Sequence, residues 1–161
     1  MATLLVTGGA GFIGSCYVLA RCAAGDTVVN LDKLTYSGNL GNLVSLHGCP
    51  RHIFVHGDIG NAELVEYLLK NYQPNAVINF AAESHVDRSI IDPEAFVRTN
   101  VLGTCTLLRA VKTWWSELGM NEKAAFRFLH VSTDEVFGAL QPGDPAFTEM
   151  TPYSPNSPYS A

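Results

Sequence analysis

An α/β fold built on a doubly wound parallel sheet is what this sequence predicts, and three observations predict it. Short apolar runs alternate with helix-like stretches over five units. The runs are apolar on both faces, as strands covered by helices on either side must be. Polar or glycine-rich loops follow the runs, where such a sheet opens at the carboxyl ends of its strands. At 161 residues the chain suits one domain, large enough to bury a core without covalent staples.

Taken in order, Thr3 to Thr7 (TLLVT) is a buried strand and Phe12 to about Ala24 a helix. Thr27 to Asp32 (TVVNLD) is the second strand, followed by the loop KLTYSGNLGN. His52 to His56 (HIFVH) is the third. In Asn61 to Tyr72, Leu64, Val65, Leu68 and Leu69 share one helical face, with Asn61 as the N-cap. Ala76 to Phe80 (AVINF) is the fourth strand, and AAESHVDRSIIDP a polar loop. A long helix runs from about Pro93 to Glu117 behind an Asp92 cap. Phe126 to Ser132 is the fifth strand, and the proline-rich remainder is mostly loop. Trp114-Trp115, late in the long helix, reads as packing or a subunit contact.

Composition excludes several function classes. With 47% hydrophobic and 16% charged residues the chain is not a disordered one. A net charge of −5 argues against nucleic acid and anionic membrane as main partners, although backbone dipoles can still bind a small polyanion. Cys16, Cys22, Cys49 and Cys105 show no CxxC spacing and no zinc-ligand spacing with a histidine. Free, mostly buried thiols in a reducing cytoplasm are expected, with no metal site. No basic segment precedes the apolar amino terminus, so no signal peptide is expected. No apolar run reaches the roughly 18 residues of a membrane span.

The first strand leads into Thr7-Gly8-Gly9-Ala10-Gly11-Phe12-Ile13-Gly14. Gly8, Gly11 and Gly14 form GxxGxxG, a variant of the dinucleotide fingerprint of Rossmann-type sheets. Gly8 suits the tight turn, Gly11 the approach of a pyrophosphate, and Gly14 close packing of the helix. The helix N-terminus offers free N–H groups and a favourable dipole to the diphosphate, beside Phe12 and Ile13. Asp32 closes the second strand about 20 residues on, where a carboxylate bonds the adenosine ribose and repels a 2′-phosphate, favouring NAD over NADP. Lys33 beside it weakens that preference slightly. Asp58 and Ile59 are placed to meet the adenine, the carboxylate at its amino group and the side chain on its ring.

TGGAGFIG, LDKLTYSGN, HGDI, FAAESHVDRSI, TNVLGT, HVSTDEVFG and SPNSPYSA together resemble the extended short-chain dehydrogenase/reductases, and within them the dTDP-glucose 4,6-dehydratase branch. The resemblance covers essentially the whole chain. It implies an NAD-dependent lyase of nucleotide-sugar metabolism. Such an enzyme oxidises sugar carbon 4, eliminates water across carbons 5 and 6, and returns the hydride to carbon 6. By resemblance Asp134 is the acid at carbon 6 and Glu135 the base at carbon 5. Thr133 bonds the oxygen at carbon 4, and Tyr159 takes its proton and also borders the cofactor. An elimination of this kind needs one protonated and one ionised acid, a state that adjacent carboxyls favour because like charges resist ionising together. Side chains alternate along a strand, so the chain must bend there for both acids to reach one sugar.

The same resemblance puts Phe80, Ala81, Ala82 and Ser84, within Phe80 to Ser84, and Thr99 along the NAD site. Ser84 and Thr133 also touch the sugar, and Thr35 and Gly38 border the adenosine. His85, Asp87 and Arg88 are further catalytic candidates, although Asp87 and Arg88 suit a local ion pair equally well. Phe137 stands where many members have tyrosine, and Cys16 where a polar residue is common. The lysine of the family's YxxxK pattern falls two positions after Ala161. The resemblance therefore implies an NAD-binding domain over 1–161, incomplete and without the carboxyl-terminal nucleotide-sugar domain, and inactive or nearly so alone. It also implies a cytoplasmic homodimer paired through the long helix. A nucleotide-sugar 4-epimerase and a non-catalytic dinucleotide-binding module are the alternatives.

Overall fold

A computed structural model describes every residue from Met1 to Ala161. Five parallel strands form one sheet: β1 (Thr3–Thr7), β2 (Thr27–Asp32), β3 (His52–His56), β4 (Ala76–Asn79) and β5 (Arg127–His130). Their order is β3-β2-β1-β4-β5, so the winding reverses between β1 and β4. The expected doubly wound, Rossmann-type sheet is the observed one. The helices are α1 (Phe12–Ala23), α2 (Ala62–Tyr72), α3 (Val86–Ile91), α4 (Pro93–Phe96), α5 (Thr104–Glu117) and α6 (Met120–Ala125). None is long and apolar enough to cross a membrane.

Both faces of the central strands are covered, which is why those strands do not alternate in polarity. Leu5, Val29 and Val77 pack on Val65, Leu68 and Leu69 of α2 and on Leu107, Val111 and Trp114 of α5. Leu4, Val6, Val28 and Ile78 face the other way, against Val18 and Cys22 of α1 and against Leu43. Each such side chain taken fully out of water stabilises the fold by about 1.5–3 kcal/mol. Asn61 caps α2 as expected, its Oδ1 accepting from Leu64 N–H at 3.1 Å. Trp114 packs edge-on against Phe126 at 5.3 Å and ties α5 to the entry of β5. Trp115 is exposed, with the Lys123 ammonium over its ring.

The structure corrects the sequence expectations in several places. The loop after β4 contains the six-residue helix α3, too short to show apolar periodicity. The long helix from Pro93 to Glu117 is interrupted by a π-helical segment, Val97–Gly103. A 3-10 helix, Leu40–Leu46, follows the loop after β2, started by Asn39, whose Oδ1 accepts from Gly41 N–H. The thiols are free but not mostly buried: Cys22 is buried and Cys49 half-buried, whereas Cys16 and Cys105 are exposed. Strand ends shift too. β4 stops at Asn79, and β5 stops at His130 rather than Ser132.

Gly8 and Gly48 both have left-handed backbone, with φ +70° and +76°, but only Gly8 is crowded. A Cβ on Gly8 would lie 2.6 Å from Ala81 N, and one on Gly48 would meet nothing. Gly48→Ala should cost about 1 kcal/mol for backbone conformation alone. Gly8→Ala should cost roughly 2–4 kcal/mol. Urea denaturation midpoints at unchanged slope measure both.

Candidate functional site

The site is built on the turn after β1, at the reversal of winding order, where an open α/β sheet parts to receive a ligand. Gly8 N–H donates to Leu31 O at 2.9 Å, holding the turn against β2. A Cβ on Gly9 would fall 2.2 Å from Asn30 Oδ1, and one on Gly14 would fall 2.2 Å from Gly8 O. Gly9 thus makes room for the Asn30 side chain, and Gly14 lets the backbone of α1 approach the turn closer than any side chain would allow. Gly14 packs on the turn itself rather than on the strand body. Gly11 is different: its Cβ would meet only Gly8 O, at 3.3 Å. No side chain caps Gly11, so the first N–H groups of α1 are left for a ligand. The aligned helix dipole places roughly half a positive charge there. These residues fit the diphosphate of a dinucleotide.

Above the turn lies an open crevice of about 370 Å³. It brings together Gly8, Gly11, Phe12, Ile13, Gly14, Asp32, Lys33, Thr35, Asp58, Ile59, Phe80, Ala81, Ala82, Ser84, Thr99 and Tyr159, all singled out from the sequence. Gly38 does not line it. That residue packs beneath Asp32, where a Cβ would fall 2.9 Å from Asp32 Oδ1 and 2.8 Å from Leu34 Cα.

Asp32 is buried, and its two oxygens accept from Ala10 N–H and Leu34 N–H, each at 2.8 Å. A carboxylate has about four lone-pair sites, so acceptor capacity for ribose hydroxyls is left over. Lys33 Nζ is 2.7 Å from Asp58 Oδ2. Burial pushes the Asp58 carboxyl up, but the Lys33 hydrogen bond, the Gly60 N–H and the Lys33 charge together hold it below its ordinary 3.8. Lys33 is thus engaged by Asp58.

The other wall comes from the chain after β4 and from the π-helical segment. Glu83 N–H donates to Asn100 Oδ1 at 2.8 Å, and Asn100 Nδ2 donates to Glu83 O at 2.9 Å. This two-way bond holds Phe80 to Ser84 against the helix that carries Thr99. At the far end the Tyr159 ring meets Phe96 edge-on at 6.3 Å, in a turn closed by Ser160 N–H on Ser157 O.

The family model described as GDP-mannose 4,6 dehydratase matches residues 5–161. The chain belongs to that family. It is 62% identical over 162 residues to a dTDP-glucose 4,6-dehydratase of Xanthomonas campestris pv. campestris, an alignment covering 100% of this chain and 46% of the relative. A dTDP-glucose 4,6-dehydratase of Streptomyces venezuelae, solved with NAD bound, superposes with a TM-score of 0.85 at 45% identity, over 98% of this chain and 47% of that one. A UDP-glucose 4-epimerase of Brucella ovis, solved in complex with NAD, superposes at 0.82 with 29% identity, over 99% and 44%. The chain spans about half the length of the curated relatives it matches.

Among this family's motifs, the acidic pair sits where the strand has already ended. β5 stops at His130, and Asp134–Phe137 forms a 3-10 turn, so the two acids sit on a turn rather than along a strand. Thr133 opens that turn by accepting Glu135 N–H on Oγ1 at 3.2 Å. Asp134 is exposed and Glu135 half-buried. The crevice wall reaches Val131 and Ser132, and Thr133, Asp134 and Glu135 follow just beyond it. Phe137 stacks on Tyr153 at 5.6 Å, pinning the turn to the following segment.

Leu31, Ser37, Gly57, Val131 and Ser132 also line the crevice and were not singled out from the sequence. They neighbour motif residues and carry no chemical signature of their own. Asn100 was legible only as a letter of TNVLGT. Asp87 and Arg88 form no ion pair; the Arg88 guanidinium lies over the Tyr36 ring. No three His, Cys, Asp or Glu side chains cluster at metal-ligand distance.

Because the native Asp58 value is depressed, its stabilising contribution is present above the ordinary 3.8 and is lost as pH falls through the native value. Lys33→Ala should raise the Asp58 value in an NMR titration. It should also destabilise the fold at neutral pH by about 0.3–0.5 kcal/mol, since the pair is partly exposed. The difference from the unsubstituted chain should close as acid protonates Asp58.

Proposed function

We propose that residues 1–161 form the NAD-binding domain of a nucleotide-sugar 4,6-dehydratase that converts dTDP-glucose to dTDP-4-keto-6-deoxyglucose. One observation carries this: a bare helix N-terminus, a buried carboxylate at the end of β2, and Tyr159 share one crevice. The similarity to NAD-bound dTDP-glucose 4,6-dehydratases supports the choice of cofactor and of substrate. The nucleotide-sugar domain lies outside these residues in the proposed enzyme. NAD, when bound, would accept the hydride of sugar carbon 4 and later return it.

The chain's own residues do the rest. The first turn of α1 receives the diphosphate, and Asp32 holds the adenosine ribose. Lys33, paired to Asp58, is not free to attract a 2′-phosphate, which favours NAD over NADP more firmly than Asp32 alone. Ile59 and Asp58 receive the adenine, and the wall from Phe80 to Ser84 with Thr99 receives the nicotinamide half. Thr133 holds the oxygen on carbon 4, and Tyr159 takes its proton. Glu135 then removes the proton of carbon 5 while Asp134 gives one to the hydroxyl leaving carbon 6. A nucleotide-sugar 4-epimerase would use the same crevice and tyrosine but has no work for two acids on one turn.

A homodimer paired through the long helix is part of the proposal, supported by the exposed apolar side chains Val97, Val101 and Leu108 along it. The cytoplasm is the proposed compartment, supported by four thiols that are all free.

Titration calorimetry of the chain with NAD and with NADP tests the cofactor half, with NAD expected to bind at least about tenfold tighter. Equal affinity, or none, would sink it. The catalytic half needs a chimera joining these residues to the remaining portion of the Xanthomonas relative. In deuterated water its 4-keto-6-deoxy product should carry deuterium at carbon 5. Asp134→Asn and Glu135→Gln should each lower turnover by about 10²–10⁴-fold without changing NAD affinity. The chain alone should show no turnover.

A further inference from the structure

We propose that Tyr36 and Arg88 form a clasp over the mouth of the crevice that slows release of the bound dinucleotide. The clasp rests on the proposed NAD site, and both are positioning residues rather than catalytic ones. The Arg88 guanidinium carbon lies 4.0 Å from the centroid of the Tyr36 ring, a cation–π contact. Tyr36 belongs to the loop after β2, and Arg88 to α3, after β4. Those two strands flank β1 on either side. A contact between the segments that follow them therefore crosses the carboxyl end of β1, from which the glycine turn springs. Thr35 and Ser37, either side of Tyr36, line the crevice on one bank, and Glu83 and Ser84 line it on the other.

Both halves of the clasp are fixed from behind. Leu34 is in the left-handed region at φ 54°, held there by its N–H on Asp32 Oδ1. The loop closes with Gly38 N–H on Thr35 O at 3.1 Å and Asn39 N–H on Ala10 O at 3.0 Å. Tyr36 thus stands at the tip of a loop fastened at each end, 47% exposed as a residue. On the opposite bank Ser89 Oγ donates to Val86 O at 2.6 Å inside α3, and the Glu83–Asn100 pair anchors the chain leading into it. The three ion pairs of the chain involve other cations, so no carboxylate competes with the ring for Arg88. The pair holds two loops together over the cleft, so its loss should register in ligand release and, to a small extent, in ligand-free stability.

The test is dissociation of labelled NAD from the 161-residue chain, chased with excess unlabelled NAD, with the melting temperature of the ligand-free protein measured alongside. Tyr36→Ala and Arg88→Ala should each speed release about two- to fivefold, the range of an exposed cation–π pair. The double variant should be no faster than either single one. Tyr36→Phe keeps the aromatic face and should release NAD and melt as the unsubstituted protein does, whereas the two alanine variants should lower ligand-free melting by no more than about 4 °C. Unchanged release in Tyr36→Ala overturns the clasp. So does faster release in Arg88→Ala alone, which would mean that the guanidinium acts on the phosphates directly, and so do additive effects. Failure of the unsubstituted chain to bind NAD overturns the proposed cofactor site itself, a result separate from any difference among variants.

Discussion

The arrangement of the crevice depends on one buried carboxylate. Taking an ionised aspartate out of water is costly unless its oxygens are hydrogen-bonded, and Asp32 meets that demand with two backbone N–H groups from different segments. One belongs to Ala10 in the glycine turn and the other to Leu34 in the loop after β2. Asp32 is therefore a rivet between the two segments before it is a ligand for anything. Its bond to Leu34 holds that residue in a conformation it would otherwise avoid, and the space beneath admits only a residue without a side chain, Gly38. The same rivet sets where Thr35 and Ser37 stand along the crevice. Ligand geometry and loop geometry share one acid, so neither can be altered alone.

The second wall is set by a defect in a helix. A regular α-helix from Pro93 to Glu117 would carry Thr99 and Asn100 on a face dictated by 3.6 residues per turn. The π-helical segment Val97–Gly103 changes that phase, and short π segments recur at functional sites. Here Thr99 lines the crevice while Asn100 grips Glu83 through both its amide oxygen and its amide nitrogen. Gly103 closes the segment against Ile59, where a Cβ would fall 3.1 Å from Ile59 Cγ1. One interruption thus positions three contacts, each of them long-range in sequence.

This division explains what the sequence made legible. The strands were readable because two helix layers make their residues apolar on both faces, a property of each run by itself. The fingerprint glycines were readable from their spacing, but Gly9 was not, because the atom it must clear, Asn30 Oδ1, lies on the next strand. The π-helical segment leaves no mark in composition. α3 and the 3-10 helix after β2 are too short for periodicity to register. Val131 and Ser132 were assigned to a strand that actually ends at His130, after Val131 N–H makes a last bond to Asn79 O at 3.1 Å. Freed from the ladder, they become crevice wall. The bend at Asp134-Glu135 follows from side-chain alternation only once both acids are required at one sugar, and that requirement comes from resemblance.

A protein with a net charge of −5 can still be built to hold a diphosphate, and the crevice indicates how. Its charged lining consists of Asp32, Lys33, Asp58 and Glu83, and the single cation among them is paired with Asp58 at 2.7 Å. No lysine or arginine charge on the lining is left to attract phosphate from a distance. Attraction must then come from oriented backbone dipoles at the start of α1, which act strongly only within the first turn. Such a site favours an anion that fits between Gly8, Gly11 and the exposed Phe12–Ile13 pair, and gives little to one that is merely charged. The extra phosphate of a larger dinucleotide would meet Asp32 instead of a free cation. In the proposed site, preference for NAD over NADP would follow from where positive charge has been withdrawn as much as from where negative charge stands.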